Sequence, residues 1–437
     1  MPSPSRPKIL LVNPPIYDFA AYDFWLKPYG LLAVAGFLQD RADLALFDYL
    51  DRLHPALAGN QSRKSDRWGR GRFPAERIAR PACLQSIPRY YRRFGLPRPL
   101  FRRFLAARGP FDFALMQVTM TYWYPGAREV IEDIRRFAPS ARIVLGGNYP
   151  TLCPEHAATL GADLVVSGTD LAPLWSFLDI QPDTARPALW QAYPALDVGV
   201  LKLSDGCPFR CTYCSVPKVY GRFEPRPRDR ALAELDLLRR LGANNIAFYD
   251  DALLFDAENT LAPFLEHAAA RGPNNNFHSP NALNARFLTP ELAQLMVRAG
   301  FKTFYLGFES GSPRWQQRTG SKVYSEELAA AVANLLAAGA HPNEITAYQI
   351  LGHPRSDAQN LEASMHFVHS LGIRGMLADF SPLPQTPDGQ ACRKWIDLEE
   401  PLMHNKTAFT ITRLGFERTN YLKDLQRRLN RSLPACP

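Results

Sequence analysis

No apolar run in this chain of 437 residues approaches the ~20 that a membrane-spanning helix needs, which excludes a helical membrane span. Cysteine is scarce, seven in all, so a disulfide scaffold is excluded too. Near the start the apolar stretch runs only from Ile9 to Val12, too short for a secretory signal. A soluble, cytoplasmic protein is expected. Hydrophobic residues make up 46% and charged residues 21%, a balance that rules out disordered, collagen-like and coiled-coil chains. At ~100–150 residues per domain, this length implies two or three domains.

The few cysteines are unevenly placed. Cys83, Cys153, Cys392 and Cys436 are scattered, whereas Cys207, Cys211 and Cys214 fall within eight positions. Thiolates are soft ligands suited to zinc or iron–sulfur clusters. Structural zinc sites usually take four ligands, often as paired C-x2-C units. Here there are three, and the nearest histidines in sequence, His156 and His267, are distant. Three thiolates on a four-iron cluster leave one iron open, and such clusters reach strongly reducing potentials. Charge is uneven as well. The net charge is +9, yet Arg63 to Arg108 carries fourteen basic residues against Asp66 and Glu76, net +12, which leaves −3 for the rest. The basic balance belongs to one insertion.

The N-terminal part alternates strand and helix signals. Lys8–Asn13, Leu44–Tyr49, Phe113–Thr119, Ile143–Leu145 and Asp163–Val166 read as strands, with Tyr29–Asp40 and Ala127–Phe137 as helices. This pattern predicts an α/β domain with a doubly wound parallel sheet, whose ligands bind past the carboxyl ends of the strands. A linker is expected over residues 181–197, where prolines interrupt the periodicity. A second series follows, with strands at Val198–Leu203, Asn245–Tyr249, Asn276–Ser279, Thr303–Phe308, Ile345–Leu351 and Gly375–Ser381. Six βα units in about 190 residues suggest a barrel or partial barrel, its site at the strands' C-terminal ends. The tail from Ile396 shows no third core of obvious size.

Cys207-Pro-Phe-Arg-Cys211-Thr-Tyr-Cys214 follows the first of these barrel strands. Here the chain resembles the radical S-adenosylmethionine (SAM) superfamily, over roughly Val198 to Thr386. The resemblance implies a partial (β/α)6 TIM-type barrel whose [4Fe-4S] cluster is held by Cys207, Cys211 and Cys214. It implies that the open iron chelates SAM and that an electron cleaves it to a 5′-deoxyadenosyl radical. Other segments match position by position. Tyr213 stands where an aromatic packs near the adenine. Tyr249-Asp250-Asp251 replaces the family's Gly-Gly-Glu near the SAM amino group, although Asp250 could instead cap the next helical stretch. Gly307-Phe-Glu309-Ser310-Gly311 resembles the ribose- and methionine-contacting segment, and Ile350-Leu351-Gly352-His353-Pro354 the adenine-contacting one. Pro382 to Pro387 resembles the proline-rich end of the sixth strand. Asp205 stands where relatives often have arginine, a departure that concerns local charge.

Residues 8 to about 180 resemble the cobalamin (B12)-binding, Rossmann-like domain that precedes the barrel in one large subgroup. The likeness rests on Val12-Asn13-Pro14-Pro15, the Gly146-Gly147-Asn148-Tyr149-Pro150 turn and Ser167-Gly168-Thr169. It implies cobalamin contacts at Asn13, Gly146, Gly147 and Gly168. The Asp-x-His-x-x-Gly ligand loop is missing, since no histidine occurs before His54, so cobalt would lack a histidine from that loop. Cys153 and His156, and the aromatics of Thr121-Tyr-Trp-Tyr-Pro125, read either as site residues or as packing. The organisation expected is therefore a B12-type domain over 1–180 with a basic insertion at 53–110, the linker, a barrel over 198–390 and an extension over 391–437. Residues 89–105 of the insertion interleave arginine with aromatics. They either wrap the sheet with arginines outward or meet an anionic membrane surface, with nucleic acid the weaker reading.

The expected reaction is cobalamin-dependent methyl transfer to an unactivated carbon of a small molecule. It would draw electrons from a donor of flavodoxin or ferredoxin type. A radical cyclase or rearrangement enzyme with the same parts is the alternative, and a non-catalytic redox sensor a third. No catalytic base or hydrogen donor stands out. Auxiliary-cluster domains and a methylthiotransferase are disfavoured, because the remaining cysteines are too few for a second cluster.

Overall fold

The computed structural model describes residues 6–59, 64–270 and 275–433; Cys436 lies outside them. The chain divides into two compact units. The first comprises the chain up to Asp197 together with Asp236–Ala243 and Glu399–Asn405. The second comprises Val198–Leu235, Asn244–Leu398 and the chain from Lys406 onward.

The first unit contains β1 (Lys8–Asn13), α1 (Tyr29–Leu38), β2 (Asp43–Asp48), α2 (Arg98–Arg108) and β3 (Phe113–Gln117). It continues with α3 (Tyr124–Phe137), β4 (Arg142–Gly146), β5 (Leu164–Val165) and α4 (Ala172–Leu178). All pairings are parallel, in the order β2-β1-β3-β4-β5. The central strand β1 is an unbroken apolar run because both its faces are covered, and Ile9 to Val12 are fully buried. Ile9, Leu11, Leu115 and Val144 pack against Leu31, Ala35 and Leu38 of α1 and Leu174 and Leu178 of α4. Strand order reverses between β1 and β3. The crevice past the C-terminal ends of these two strands is where a doubly wound sheet takes its ligands.

The basic insertion wraps this unit. It contributes two of the three short antiparallel strands Ile16–Asp18, Ala75–Arg77 and Arg92–Phe94, each only three residues long and so invisible to periodicity. Phe101 and Leu105 of α2 turn inward and are buried. Arg98 and Arg102 both pair with Asp133 of α3. Arg93 is itself buried and makes two parallel bonds to Glu129, at 2.8 and 2.7 Å, while the Tyr17 hydroxyl donates to the same carboxylate. Tyr91, Phe94, Leu96, Phe101 and Leu105 of 89–105 are thus buried inside the unit, while Tyr90 stays exposed. Residues 181–197 also belong to it. Their prolines break periodicity, but the backbone N–H groups of Asp183 and Leu189 donate to Phe37 and Leu32, and Trp190 is fully buried.

The second unit runs β6 (Val198–Leu201), the part of α5 (Arg228–Arg240) up to Leu235, β7 (Asn245–Phe248), α6 (Leu261–Ala270), β8 (Asn276–His278) and α7 (Pro290–Ala299). Then come β9 (Phe301–Glu309), α8 (Pro313–Thr319), α9 (Ser325–Ala337), β10 (Ile345–Leu351), α10 (Ala358–Ser370) and β11 (Arg374–Asp379). The six strands are parallel and neighbours in chain order, an open arc of a barrel, with Leu283–Asn284 added beside β9. Local sequence sets the helices. In α7 the Thr289 side chain accepts from the Leu292 N–H, Pro290 opens the helix, and Gly300 closes it at φ +104°. Phe248, Phe264, Phe277 and Phe301 form an aromatic core. The tail supplies α11 (Lys406–Leu414) and α12 (Phe416–Arg431). Leu422 and Leu425 pack on Leu351, Leu361 and Met365, so this tail covers β10 and α10 instead of building its own core. No helix among the described residues is long and apolar enough to cross a membrane.

Removing one partner of the Arg93–Glu129 pair strands a buried charge. Glu129→Ala should destabilise the protein by about 3–5 kcal/mol, whereas replacing both partners by apolar residues of similar volume should be near neutral. Thermal unfolding midpoints of the single and double variants provide the comparison.

Candidate functional site

The three clustered cysteines lie on the loop that leaves β6. Ser204-Asp205 pairs antiparallel with Glu224-Pro225 and closes the neck of this loop. Gly206 sits in the left-handed region at φ +70°, and a Cβ there would lie 2.1 Å from the Arg222 carbonyl oxygen, so only glycine fits. Asp250, buried at the end of β7, braces the loop's start. It accepts from the Leu203 N–H at 2.9 Å, the Ser204 N–H at 2.6 Å and the Ser204 hydroxyl at 2.7 Å. Asp205 pairs with Lys202 at 2.8 Å and Arg226 at 2.6 Å. Burial opposes its charge, but the two cations hold its carboxyl down at about 2. The acid in this unusual position is therefore fully countered by neighbouring bases.

A second anchor holds the middle of the loop. The Thr212 hydroxyl donates to Asp388, and the Asp388 N–H donates back to the Thr212 carbonyl at 3.1 Å. Asp388 also meets Arg355 at 2.7 Å and His353 Nε2 at 3.1 Å. The Trp315 indole N–H and the Arg355 N–H both point to His353 Nδ1, at 3.0 and 3.2 Å. Two donors on Nδ1 leave the proton on Nε2, directed at Asp388. Burial keeps this imidazole below its ordinary pKa, against the pull of Asp388. Tyr213 stacks on Trp315, centroids 5.8 Å apart.

Cys211 is buried, Cys207 and Cys214 are half-buried, and all three are free thiols. Burial pushes the three thiols up, Cys214 to about 12, while the nearby Lys322 ammonium works in the opposite direction on each. Among the described residues no three His, Cys, Asp or Glu side chains converge as a single metal ion requires. The donor set instead suits a cluster, in which each thiolate takes a different iron.

The other residues expected around SAM lie at neighbouring strand ends of this unit. Asp250 is committed to bracing the loop. Asp251 is turned differently: its Oδ2 is buried without a partner, and burial lifts its carboxyl to about 6. Glu309 ends β9 at φ +59°, a left-handed conformation uncommon outside glycine and typical of functional positions. One of its oxygens pairs with Lys322 at 3.1 Å, and the other is buried and unpartnered. Ser310 follows, and its carbonyl accepts from Gln316 at 2.7 Å. Leu351 turns into the core with α12, so only its backbone is available, whereas Ile350 on the opposite face is half-buried. Sequence reasoning missed Lys322, Asp388 and Gln349. Gln349 pairs in register with Glu309, is fully buried, and leaves both amide atoms unpartnered. A polar residue within an apolar strand was the available signal for Gln349; nothing local marks Lys322 or Asp388.

In the first unit, Asn13 lines a cleft at the β1/β3 switch point with Pro14, Pro15, Lys27, Gln117 and Thr119. Its side chain donates to Asp48 at 2.7 Å, and Asp48 also accepts from the Tyr193 hydroxyl at 2.6 Å. Gly146 and Gly147 end the next strand. A Cβ on Gly147, at φ +106°, would lie 2.6 Å from the Val118 carbonyl oxygen, so this glycine serves backbone packing. Gly168 faces open space, and its N–H is taken by Thr151. Tyr124, Tyr149 and His156 form one packed group, with Tyr149 and His156 hydrogen-bonded at 2.5 Å. Cys153 is buried.

Residues 201–368 match the family model described as Radical SAM superfamily. An uncharacterized methyltransferase of Pyrococcus horikoshii is 27% identical over 40% of this chain and 37% of its own length. The bacteriochlorophyllide d C-12(1)-methyltransferase of Chlorobaculum tepidum is 29% identical over 56% of this chain and 58% of its own. The chain thus spans less than two thirds of either relative. Among solved structures, the radical SAM methyltransferase TsrM of Kitasatospora setae, with tryptophan and a SAM analogue bound, superposes with a TM-score of 0.65. At 16% identity it covers 89% of this chain and 76% of TsrM, a likeness of fold. The cysteine-bearing arc of parallel strands is thus the part of the chain that matches the Radical SAM superfamily model.

Proposed function

We propose that Cys207, Cys211 and Cys214 hold a [4Fe-4S] cluster whose open iron takes SAM, and that the first unit takes cobalamin. The chain then methylates an unactivated carbon of a small molecule. The observation that carries this is the cysteine triad, set past the end of β6 on a loop fixed independently of any metal. When bound, the cluster supplies the electron for reductive cleavage of SAM, and cobalamin carries the methyl group.

The chain's own residues provide the setting. Asp250 and Asp388 fix the loop, and Tyr213 presents an aromatic face beside it. Asp251 Oδ2, Glu309 Oε2 and both amide atoms of Gln349 are buried polar groups without protein partners. Such groups call for a ligand rich in amino, carboxylate and hydroxyl functions. Glu309, Ser310 and the backbone at Ile350 and Leu351 are the further SAM contacts we assign. In the first unit the switch-point cleft at Asn13 is the cobalamin candidate, with Gly146, Gly147 and Gly168 on neighbouring strand ends. No histidine of the loop after β1 would bind cobalt. Supporting the methyl-transfer reading, one TsrM structure is described with cobalamin and a [4Fe-4S] cluster bound, and relatives of this chain are named methyltransferases. A one-electron donor of flavodoxin or ferredoxin type completes the set.

Anaerobic reconstitution should give about four irons per chain, and replacing the three cysteines by alanine should abolish them. With reductant, hydroxocobalamin, SAM and a methyl acceptor, the expected products are S-adenosylhomocysteine and 5′-deoxyadenosine together. Deoxyadenosine alone would move the assignment to a rearrangement or cyclisation, and no SAM cleavage at all would overturn it. Corrinoid absorption absent after gel filtration would remove the cobalamin part.

The bracing role of Asp250 is tested separately. Asp250→Ala leaves three donors of the loop unsatisfied and should lower iron incorporation several-fold, while Asp250→Asn, which keeps an accepting oxygen, should retain most of it. Iron and sulfide analysis of the purified variants gives the answer.

A further inference from the structure

Around the cysteine loop, Arg210, Arg222, Arg314 and Arg318 are all exposed, and among the described residues none of them makes an ion pair or side-chain hydrogen bond. Two arginines of the same unit are by contrast paired, Arg286 with Glu327 and Arg226 with Asp205. Arg210 and Arg222 line one cleft together with Cys207 and Phe209. Arg314, Arg318 and Arg355 line another with Ser310 and Trp315. The acid in this second cleft, Asp357, is occupied in capping α10, where it accepts from the Asn360 N–H at 2.7 Å. The end of α8 abuts the loop itself: the Thr212 N–H donates to the Thr319 carbonyl, and a Cβ on Gly320 would lie 3.2 Å from Cys211 Cα.

The two clefts therefore flank the cysteines with uncompensated positive charge. One reaches Cys207 directly. The inner wall of the other is Trp315, which stacks on Tyr213, the residue between Thr212 and Cys214. Exposed, unpaired arginines are poor anchors for a small anion, which would be gripped in an enclosed site by a few converging polar groups. Spread around a redox site, they instead steer and orient a large acidic partner, with gains in association rate of about 10–1,000-fold that fall with salt.

We propose that this arginine rim is the docking surface for an acidic one-electron donor protein, with Cys207 and the Trp315–Tyr213 stack as its approaches to the cluster. The inference rests on the function proposed above. One electron leaves the donor's reduced flavin or iron–sulfur centre and reduces the cluster by one unit; no bond forms or breaks and no proton is required.

The test uses the reconstituted holoenzyme and a reduced, acidic flavodoxin. Cluster reduction is followed by anaerobic stopped-flow absorbance and donor binding by interferometry, each at low and high salt. The double variant Arg314→Glu/Arg318→Glu should be reduced by flavodoxin at least about tenfold more slowly at low salt, bind it correspondingly more weakly, and lose most of the salt dependence. Arg314→Lys/Arg318→Lys should stay near the parent. Reduction by methyl viologen, a small cation, should be as fast as in the parent or faster. Arg77→Glu, a charge reversal in the first unit, should change neither rate. An unchanged flavodoxin rate in the double glutamate variant overturns the proposal. So does an equal loss with viologen, which would make these arginines supports of the cluster, or an equal loss in Arg77→Glu, which would make the effect one of net charge. If the parent assembles a cluster and cleaves SAM with viologen while the double variant still takes electrons from flavodoxin at full rate, docking alone fails. If the parent assembles no cluster, the proposed function fails and this inference with it.

Discussion

Asp250 is the residue on which the site depends. A loop carrying three thiols gains no regular hydrogen-bonding of its own, yet its sulfurs must be held before any metal arrives. One buried carboxylate at the end of β7 gathers the donors where the loop leaves β6. Burial raises its pKa, which disfavours the charge, and the bonds from Ser204 and Leu203 oppose that shift. Hydrogen bonds to a charged group are worth roughly 1.5–3 kcal/mol each, so three of them make a stiff hinge from a segment without secondary structure. Asp388 does the same for the middle of the loop. It is in turn oriented by a neutral imidazole whose tautomer is set by Trp315 and Arg355.

The thiols between these anchors are buried or half-buried. Burial favours their protonated form, Cys214 most strongly among them. The cation that offsets this, Lys322, is held by Glu309 at a backbone conformation that costs energy. A cluster held by the three sulfurs would replace their protons by iron, so its binding would release protons. The strain at Glu309 and the charge on Lys322 are then intelligible as preparation for a ligand, since neither contributes to a core.

Much of this was legible in the sequence because it is local. The apolar run Ile9–Val12 marked a strand, and the cysteine spacing marked the loop. Six parallel strands in chain order followed from six βα repeats. What escaped notice is long-range. Thr212 and Asp388 are 176 positions apart, and Lys322 reaches Glu309 across a helix and two turns. The prolines of 181–197 look like a linker, because hydrogen bonds to the backbone of Leu32 and Phe37 leave no trace in periodicity. The strands within the basic insertion are three residues long, too short for any alternation to register.

The two units use the C-terminal ends of their strands in different ways. At the switch point of the first, the polar groups are already satisfied by one another: Asn13 donates to Asp48, and Tyr193 closes the network from the opposite side. A ligand entering there would be chosen by shape, by the prolines and glycines that let it approach, and by few obligatory bonds. At the strand ends of the second, Gln349, Glu309 and Asp251 each keep a buried polar atom without a partner. Each such atom is costly to leave bare, by about 1–3 kcal/mol. The Asn13–Asp48–Tyr193 network of the first unit is complete in itself, whereas Gln349, Glu309 and Asp251 of the second keep bonding capacity for a ligand. This asymmetry is one of bonding: a ligand at the first site would be selected by contour, and one at the second by the polar atoms it satisfies.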